Sequence, residues 1–152
     1  MTSAARSTVS ATDWQALLHA HGLRVTRAAV SVLAVLSAQS AALTHEEVLA
    51  ACRLASEAGF DRVTVYRVLD RLTQAGLADR LMGSDGVARF MLHDAQSSQL
   101  FECEACHRLQ SLPEDAELQA VLERLSRSLR RRGMKPSESA LRIRGTCADC
   151  RH

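Results

Sequence analysis

Two short cysteine motifs near the end of the sequence have the residue types and spacing that bind metals. The segments Cys103-Glu-Ala-Cys106 and Cys147-Ala-Asp-Cys150 hold four of the five cysteines, with about 40 residues between them. Four thiolates at the corners of a tetrahedron form a closed structural zinc site. We therefore predict one structural Zn²⁺ per chain, bound by all four cysteines, which joins the start of a small domain to its end.

Two disulfides or a redox enzyme are the alternatives for these cysteines. Disulfides are typical of secreted proteins, and the first ten residues contain no apolar run like that of a signal peptide. A redox enzyme using Cys103 and Cys106 needs an exposed thiolate of low pKa. Neither motif lies in the βαβ pattern that is typical of thioredoxin-like proteins. The four-cysteine zinc site is therefore the preferred interpretation.

The composition favours a helical protein of the cytoplasm. The 152 residues are 47% apolar but only 3% aromatic, so the core must consist of Leu, Val and Ala, which suit helices. No stretch is long and apolar enough to span a membrane, so we expect a cytoplasmic location and no membrane partner. The net charge of +2 is too small to demonstrate a polyanionic partner.

The elements of the first 92 residues follow the order of a winged helix-turn-helix. Thr44 to Glu47 reads as a capping box that begins a third helix. Asp61 caps a fourth helix, which ends near Gly76. Residues 77–82 and 87–92 then alternate as two strands of a hairpin with a Gly-Ser-Asp-Gly turn. The helix before the hairpin is the one that enters the major groove of DNA in such folds.

A second, smaller domain follows a polar stretch. We predict a DNA-binding domain over residues 1–92, a hinge over 93–99 and a dimerisation domain with the structural zinc over 100–152. One helix and three short strands bury little apolar surface on their own, so a homodimer is expected. The predicted fold class is α+β, a winged helix-turn-helix domain plus a small α/β dimerisation domain.

The sequence resembles the ferric uptake regulator family from about Trp14 to Cys150. The residues that carry the resemblance are Gly22-Leu-Arg-Val-Thr26, Leu43-Thr-His-Glu-Glu-Val-Leu49, Val63-Thr-Val-Tyr-Arg-Val-Leu69 and the two cysteine motifs. The chain is most similar to the zinc uptake regulator branch. This resemblance implies a homodimeric bacterial repressor, not an enzyme, that binds palindromic operator DNA when it is loaded with metal.

The resemblance also implies which residues contact DNA. The candidates are Arg27, Arg62, Thr64, Tyr66, Arg67 and Arg71. Arg67 can pair with guanine and Tyr66 with a thymine methyl or a phosphate, whereas Arg62 and Arg71 suit phosphates. Arg27 is a substitute for an arginine that the family carries where this chain has Ala29. The alternative is that these are ordinary solvated arginines.

The regulatory metal site departs from the family pattern. The histidine-rich run that the family carries before the first cysteine motif is replaced by Ala95-Gln-Ser-Ser-Gln-Leu-Phe101. Asp79 and His93 match positions that the zinc-sensing branch uses as ligands, and Glu102 could complete the shell of a second, regulatory Zn²⁺ or other divalent metal. The alternative is a solvated aspartate and a hydrogen-bonded histidine.

Besides the redox enzyme considered above, three functions compete. The preferred one is a zinc-responsive transcriptional repressor. The runner-up is a family member without the second metal site, which is constitutive or responds to thiol oxidation at the four cysteines. A winged helix that binds protein instead of DNA is the third. The sequence contains no Ser/His/Asp set, P-loop or Gly-rich nucleotide motif, so we expect no enzymatic activity.

Overall fold

A computed structural model describes four segments of the chain, which are residues 11–56, 59–94, 99–137 and 141–151. Contacts between Cα atoms divide the chain into two compact units, Met1–His93 and Asp94–His152. The division falls inside the predicted hinge of residues 93–99. Residues 95–98 of that hinge lie outside the described part.

Helices that begin at side-chain caps build most of the first unit. The described residues contain α1 (Ala11–Ala20), α2 (Arg27–Ser37), α3 (His45–Ala55) and α4 (Arg62–Gln74). Thr26 accepts a hydrogen bond from an amide three residues ahead, at 3.1 Å, and so caps α2. Thr44 and Glu47 form the predicted capping box at α3. Asp61 caps α4 by accepting from the Thr64 amide at 2.8 Å. Each cap satisfies an amide that the helix leaves unpaired.

A three-stranded antiparallel sheet completes this unit and confirms the winged helix-turn-helix. Its strands are β1 (Leu43–Thr44), β2 (Ala78–Met82) and β3 (Ala88–Leu92), in the order β1-β3-β2. The predicted hairpin is β2 and β3, paired from Ala78 with Leu92 to Met82 with Ala88. Strand β1 was not predicted because two residues are too short to show an alternating pattern.

The turn of the hairpin is fixed by a buried arginine. Arg89 is only 8% exposed, and its guanidinium donates to both carboxylate oxygens of Asp85, at 2.9 and 2.8 Å. The Gly86 backbone has a φ of +77°, a left-handed conformation that glycine adopts without strain. The wing therefore has a defined shape.

The core of the first unit lies between the helices and the sheet. Phe90 of β3 is fully buried there, together with Leu33 of α2 and Leu69 of α4. On α4 the buried residues Val65, Leu69 and Leu72 recur at helical spacing, so one face packs inward and the opposite face is left to solvent. The polar face of α4 is thereby presented outward.

The second unit is a small sheet with one helix. The described residues form β4 (Gln99–Cys103), β5 (Leu109–Ser111), α5 (Ala116–Arg131), β6 (Leu141–Gly145) and a 3₁₀ helix (Ala148–Cys150). The strand order is β5-β4-β6. Strand β5 is antiparallel to β4, whereas β6 is parallel to it. A parallel pair needs a long crossover connection, which here contains α5.

Few apolar side chains of the second unit are buried within one chain. Among its described residues these are Leu100 and Leu109, besides two cysteines. Val121 and Leu125 on the apolar stripe of α5 are 46% and 55% exposed, and Ile143 on β6 is 45% exposed. The α5 stripe and the sheet thus leave apolar surface uncovered. In the described parts of both units, no helix combines the length and the apolar character needed to cross a membrane.

Candidate metal centre and nucleic-acid interface

The parallel pairing of β4 with β6 brings the two cysteine motifs together. Cys103 ends β4 and is paired in register with Gly145, which ends β6 two residues before Cys147. Because parallel strands end at the same edge of a sheet, the loops that follow them are neighbours. Cys106 lies on the loop after β4, and Cys150 ends the 3₁₀ helix that follows β6, so all four predicted ligands reach one place.

The four sulfurs form a cluster with the dimensions of a zinc site. Their Sγ atoms all lie within 4.8 Å of one another, and those of Cys106 and Cys147 are 3.8 Å apart. A tetrahedral site with Zn–S bonds of about 2.3 Å has sulfur–sulfur distances of about 3.8 Å. Cys103 and Cys147 are buried and Cys106 is exposed. The donor set and spacing therefore fit one tetrahedral metal ion of the thiolate-preferring kind.

Backbone amides aimed at Cys103 favour the thiolate that a metal requires. Its Sγ accepts from the Cys147 amide at 3.3 Å, and hydrogen bonds from the amides of Cys147 and Cys106 lower the pKa of Cys103 to about 6. Contacts with the sulfurs of Cys147 and Cys106 raise the pKa of Cys150 to about 12. The amide hydrogen bonds thus favour the thiolate form of Cys103, which is the form in which a cysteine binds a metal.

Contacts beside the cysteines join the two loops independently of any metal. The Arg108 guanidinium donates to Asp149 at 2.6 Å, and the Glu104 amide donates to the Gly145 carbonyl at 2.7 Å. His107, which follows Cys106, has a φ of 59°, in the left-handed region that glycine adopts most readily. The loops are therefore held close by polar contacts as well as by the sulfurs.

Helix α4 presents the predicted DNA-contacting face to solvent. Arg62, Arg67 and Arg71 are exposed, and Thr64 and Tyr66 are partly exposed. The Thr64 hydroxyl donates to Asp61 at 2.8 Å, so this side chain also belongs to the helix cap. The structure therefore brings the α4 candidates onto one helix, with the arginines outward.

A carboxylate on α3 contacts two of these candidates, which the sequence analysis missed. The Tyr66 hydroxyl donates to Glu46 Oε1 at 2.7 Å, and Arg62 forms a salt bridge with the same oxygen. The bond from Arg62 lowers the pKa of Glu46, and the bond to Glu46 raises the pKa of Tyr66. The partners lie 16 and 20 residues apart in sequence, so no local spacing could have indicated them.

His45 lies beside this contact and packs against two aromatic rings. Its ring centroid is 4.1 Å from that of Tyr66 and 4.4 Å from that of Phe90. Burial, and then the nearby Arg80 charge, lowers the pKa of His45. The ring therefore packs as a neutral aromatic between α4 and β3.

Arg27 begins α2 and is exposed, as a DNA-contacting substitute would need to be. Ala29, where the family carries arginine, is only 6% exposed and packs in the core. Charged side chains are rarely found at positions as buried as this one. At the position where the family pattern has arginine, this chain thus carries a small core residue.

The structure brings Asp79 and His93 together. Nδ1 of His93 lies 2.8 and 3.0 Å from the two carboxylate oxygens of Asp79. The Asp79 side chain is 40% exposed and that of His93 is 44% exposed. Within the described residues of the first unit, no third His, Cys, Asp or Glu joins them to make a group of three. Glu102 belongs to the second unit, where it is 1% exposed and accepts from Arg142 at 3.4 Å.

A winged helix-turn-helix joined to a unit with a four-cysteine cluster is the architecture of a metal-dependent transcription regulator. The sequence profile described as the ferric uptake regulator family matches residues 20–144. The chain belongs to the ferric uptake regulator family, whose members are transcription regulators and not enzymes. The family and fold class predicted from the sequence are therefore confirmed.

Individual relatives agree with this assignment. The ferric uptake regulation protein of Cupriavidus metallidurans is 34% identical over 91 residues, which are 59% of this chain and 61% of the relative. The chain thus matches less than two thirds of that relative's length. The structure of the ferric uptake regulator from Pseudomonas aeruginosa with manganese is 29% identical, with a TM-score of 0.71 over 89% of this chain and 98% of that one.

A zinc uptake regulator solved in complex with zinc and DNA has the same fold. It is 21% identical, with a TM-score of 0.62 over 92% of this chain and 91% of that one. At this identity the likeness concerns the fold alone.

Proposed function

We propose that this protein is a zinc-responsive transcriptional repressor that binds palindromic operator DNA as a homodimer. The observation that carries the proposal is α4, a capped helix in a winged helix-turn-helix whose outer face displays Arg62, Arg67 and Arg71. Such a helix fits the major groove of duplex DNA. Membership of the ferric uptake regulator family supports the same function.

We propose that Arg67 is the side chain that recognises the base sequence of the DNA. It is exposed, and bidentate pairing with guanine contributes about 1–3 kcal/mol of discrimination, or roughly 5- to 150-fold in Kd. Arg67→Gln should therefore weaken binding to a duplex selected by the wild-type protein from a random library. Arg127→Gln on α5 removes the same charge from an exposed helix of the second unit and is the matched control. Equal losses for both variants would contradict the assignment.

The homodimer is proposed to form through the uncovered apolar surface of the second unit. Leu125 and Val121 on α5 are about half exposed, at 55% and 46%, and a second copy would remove them from water. Leu125→Arg should yield a monomer in analytical ultracentrifugation. Ala120→Arg, on the opposite, exposed side of α5, is the control and should leave the dimer intact. A dimeric Leu125→Arg variant would exclude this interface.

The four cysteines are proposed to hold one structural Zn²⁺, and Asp79 with His93 to hold a second, regulatory one. Support for the second site is the 2.8 Å approach of the two side chains on the exposed edge of the wing. Glu102 is proposed as a further ligand. Asp79→Ala and His93→Ala should each lower affinity for the selected duplex at fixed zinc, with the dimer unchanged. Unchanged affinity in both variants would exclude zinc regulation through these residues.

A specific observation favours the alternative of a family member without the regulatory site. Asp79 and His93 already satisfy each other by hydrogen bonding, and Glu102 is engaged by Arg142 in the second unit. Metal analysis of the purified dimer separates the two proposals. Two zinc ions per chain favour zinc regulation, whereas one favours a constitutive repressor or one that responds to oxidation of the cysteines.

A further inference from the structure

One carboxylate, Glu46, links helix α3 to two of the proposed DNA-contacting side chains of α4. Its Oε1 atom accepts the hydroxyl proton of Tyr66 at 2.7 Å and forms a salt bridge with Arg62. The Arg62 guanidinium lies 5.9 Å from the centroid of the Tyr66 ring, within the range of a cation–π contact. The three side chains, which we term the Glu46 clamp, therefore contact one another in pairs.

The Glu46 clamp has a rigid base. Glu46 lies in the first turn of α3, whose start is fixed because the Thr44 amide donates to Glu47 at 2.7 Å and the Glu47 amide donates back to Thr44. The Tyr66 ring rests against His45 of the same turn, at 4.1 Å between centroids. The Tyr66 side chain is therefore held at two points, its ring by His45 and its hydroxyl by Glu46, which leaves it little rotational freedom.

The Glu46 clamp also changes the electrostatics of the α4 surface. Arg62 is one of its exposed cations, yet its charge is balanced by a carboxylate in direct contact. A cation that is already paired displaces fewer counterions from DNA than a free one does. The carboxylate also repels phosphates that approach the same place.

We propose that Glu46 is a positioning and specificity-determining residue, which orients the Tyr66 ring for contact with a base, such as a thymine methyl group, and withholds Arg62 from the phosphates. The inference rests on the proposed role of α4 in DNA binding. It makes Arg62 an orienting residue in the wild-type protein and a phosphate-binding residue only when Glu46 is neutralised. Glu46 thereby lowers affinity for DNA of any sequence while it keeps the Tyr66 contact defined.

The salt dependence of binding to a duplex of random sequence tests whether Glu46 keeps Arg62 from the DNA phosphates. The slope of log K against log salt changes by about 0.9 for each DNA phosphate that the protein neutralises. Glu46→Gln should tighten binding and steepen the slope by about 0.9, because Arg62 is released. Arg62→Gln should then flatten the slope by about 0.9 more in the Glu46→Gln background than in the wild-type background. Equal effects of Arg62→Gln in both backgrounds would overturn the proposal.

Glu117→Gln is the matched control for net charge. Glu117 is an exposed glutamate in the first turn of α5 and so resembles Glu46 in helix position and exposure. Its replacement should leave the slope for random-sequence DNA as it is in the wild type. A change as large as that of Glu46→Gln would show a general charge effect and would also overturn the proposal.

A measurement without DNA tests the Glu46 clamp separately from the proposed function. Tyr66 is the only tyrosine of the chain, so ultraviolet titration of tyrosinate reports this one side chain. The hydrogen bond to Glu46 raises the pKa of Tyr66, and Glu46→Gln should return it toward its ordinary value. An unchanged titration would overturn the clamp itself. Absence of salt-dependent DNA binding by the wild-type protein, with the expected titration, would instead refute the proposed function.

Discussion

Removal of the metal ion that we propose for the four-cysteine cluster should unfold the second unit and leave the first unit folded. The two units depend on different sources of stability. The first has a core that includes Trp14, Leu33, Leu69 and Phe90, all nearly or fully buried. The second gathers its four cysteines at one edge of a three-stranded sheet. Treatment of the full chain with a strong chelator is therefore expected to act on one unit only.

The magnitudes favour this outcome. Leu100 and Leu109 are the buried apolar side chains among the described residues of the second unit, apart from cysteines. Full burial of a leucine contributes about 1.5–3 kcal/mol, so the pair supplies roughly 3–6 kcal/mol. Structural zinc contributes about 10–16 kcal/mol to the folding of small zinc domains. The contribution of the metal thus exceeds that of the two buried leucines, and its loss removes the larger of these terms that offset the chain entropy.

Two probes follow the units separately. Trp14 is the only tryptophan and is buried in the first unit, so its fluorescence monitors that unit. Amide hydrogen exchange of β4 and β6 monitors the second unit, because protection there requires the intact sheet. After chelation the tryptophan transition should keep its midpoint, while protection in β4 and β6 should be lost. Zinc should restore that protection.

Cysteine variants provide the matched pair for this experiment. Cys147→Ser should lose the metal and reproduce the chelated state. Cys52→Ala removes a buried cysteine of the first unit that is remote from the cluster in sequence, and it should keep the metal and the protection of the second unit. Retained protection in β4 and β6 of the chelated protein, or metal retained by Cys147→Ser, would refute the reasoning.

Two further predictions concern the first unit. His45 has a pKa lowered mainly by burial, so the unfolded chain binds this proton at a higher pH than the folded one. Stability should therefore fall as the pH drops below about 6.5, and His45→Gln should remove that part of the loss in denaturation curves recorded at several pH values. Thr26→Ala should lower the unfolding free energy by about 1 kcal/mol, because the Ala29 amide loses its cap, and Thr26→Ser should restore it. A pH profile unaltered by His45→Gln, or equal stability of the alanine and serine variants, would count against these two assignments.

Local sequence patterns predicted most of the elements because the interactions that define them are local. Thr44 and Asp61 each cap a helix by contacting an amide three residues ahead, so their spacing is visible in the sequence. The hairpin of residues 78–92 was equally visible because its strands alternate around a glycine turn. The two-residue strand β1 was missed because its formation depends on β3, which lies far along the chain.

Of the candidate sites, the cysteine cluster could be predicted from local spacing, whereas the contacts between distant residues could not. The cysteine motifs carry their chemistry in their spacing, and the structure gathers their sulfurs as expected. Tyr66 and Arg67 came from the family resemblance, whereas the contact of Tyr66 with Glu46 spans 20 residues and has no sequence signal. The burial of Glu102 against Arg142 depends on the pairing of β4 with β6 and was not anticipated.

The sequence by itself determined the capped helices of the first unit, the wing and the four cysteines that cluster, and its motifs identified the family. The helices, the wing and the cysteine motifs follow from side-chain chemistry and from contacts within a few residues, whereas the family follows from the resemblance of whole motifs. Only the tertiary structure decided that β6 lies parallel to β4, which closes the cluster of sulfurs, and that Glu46 holds Tyr66 and Arg62. Such pairings join residues that are distant along the chain, and they form only when burial of the core brings the elements that carry them together.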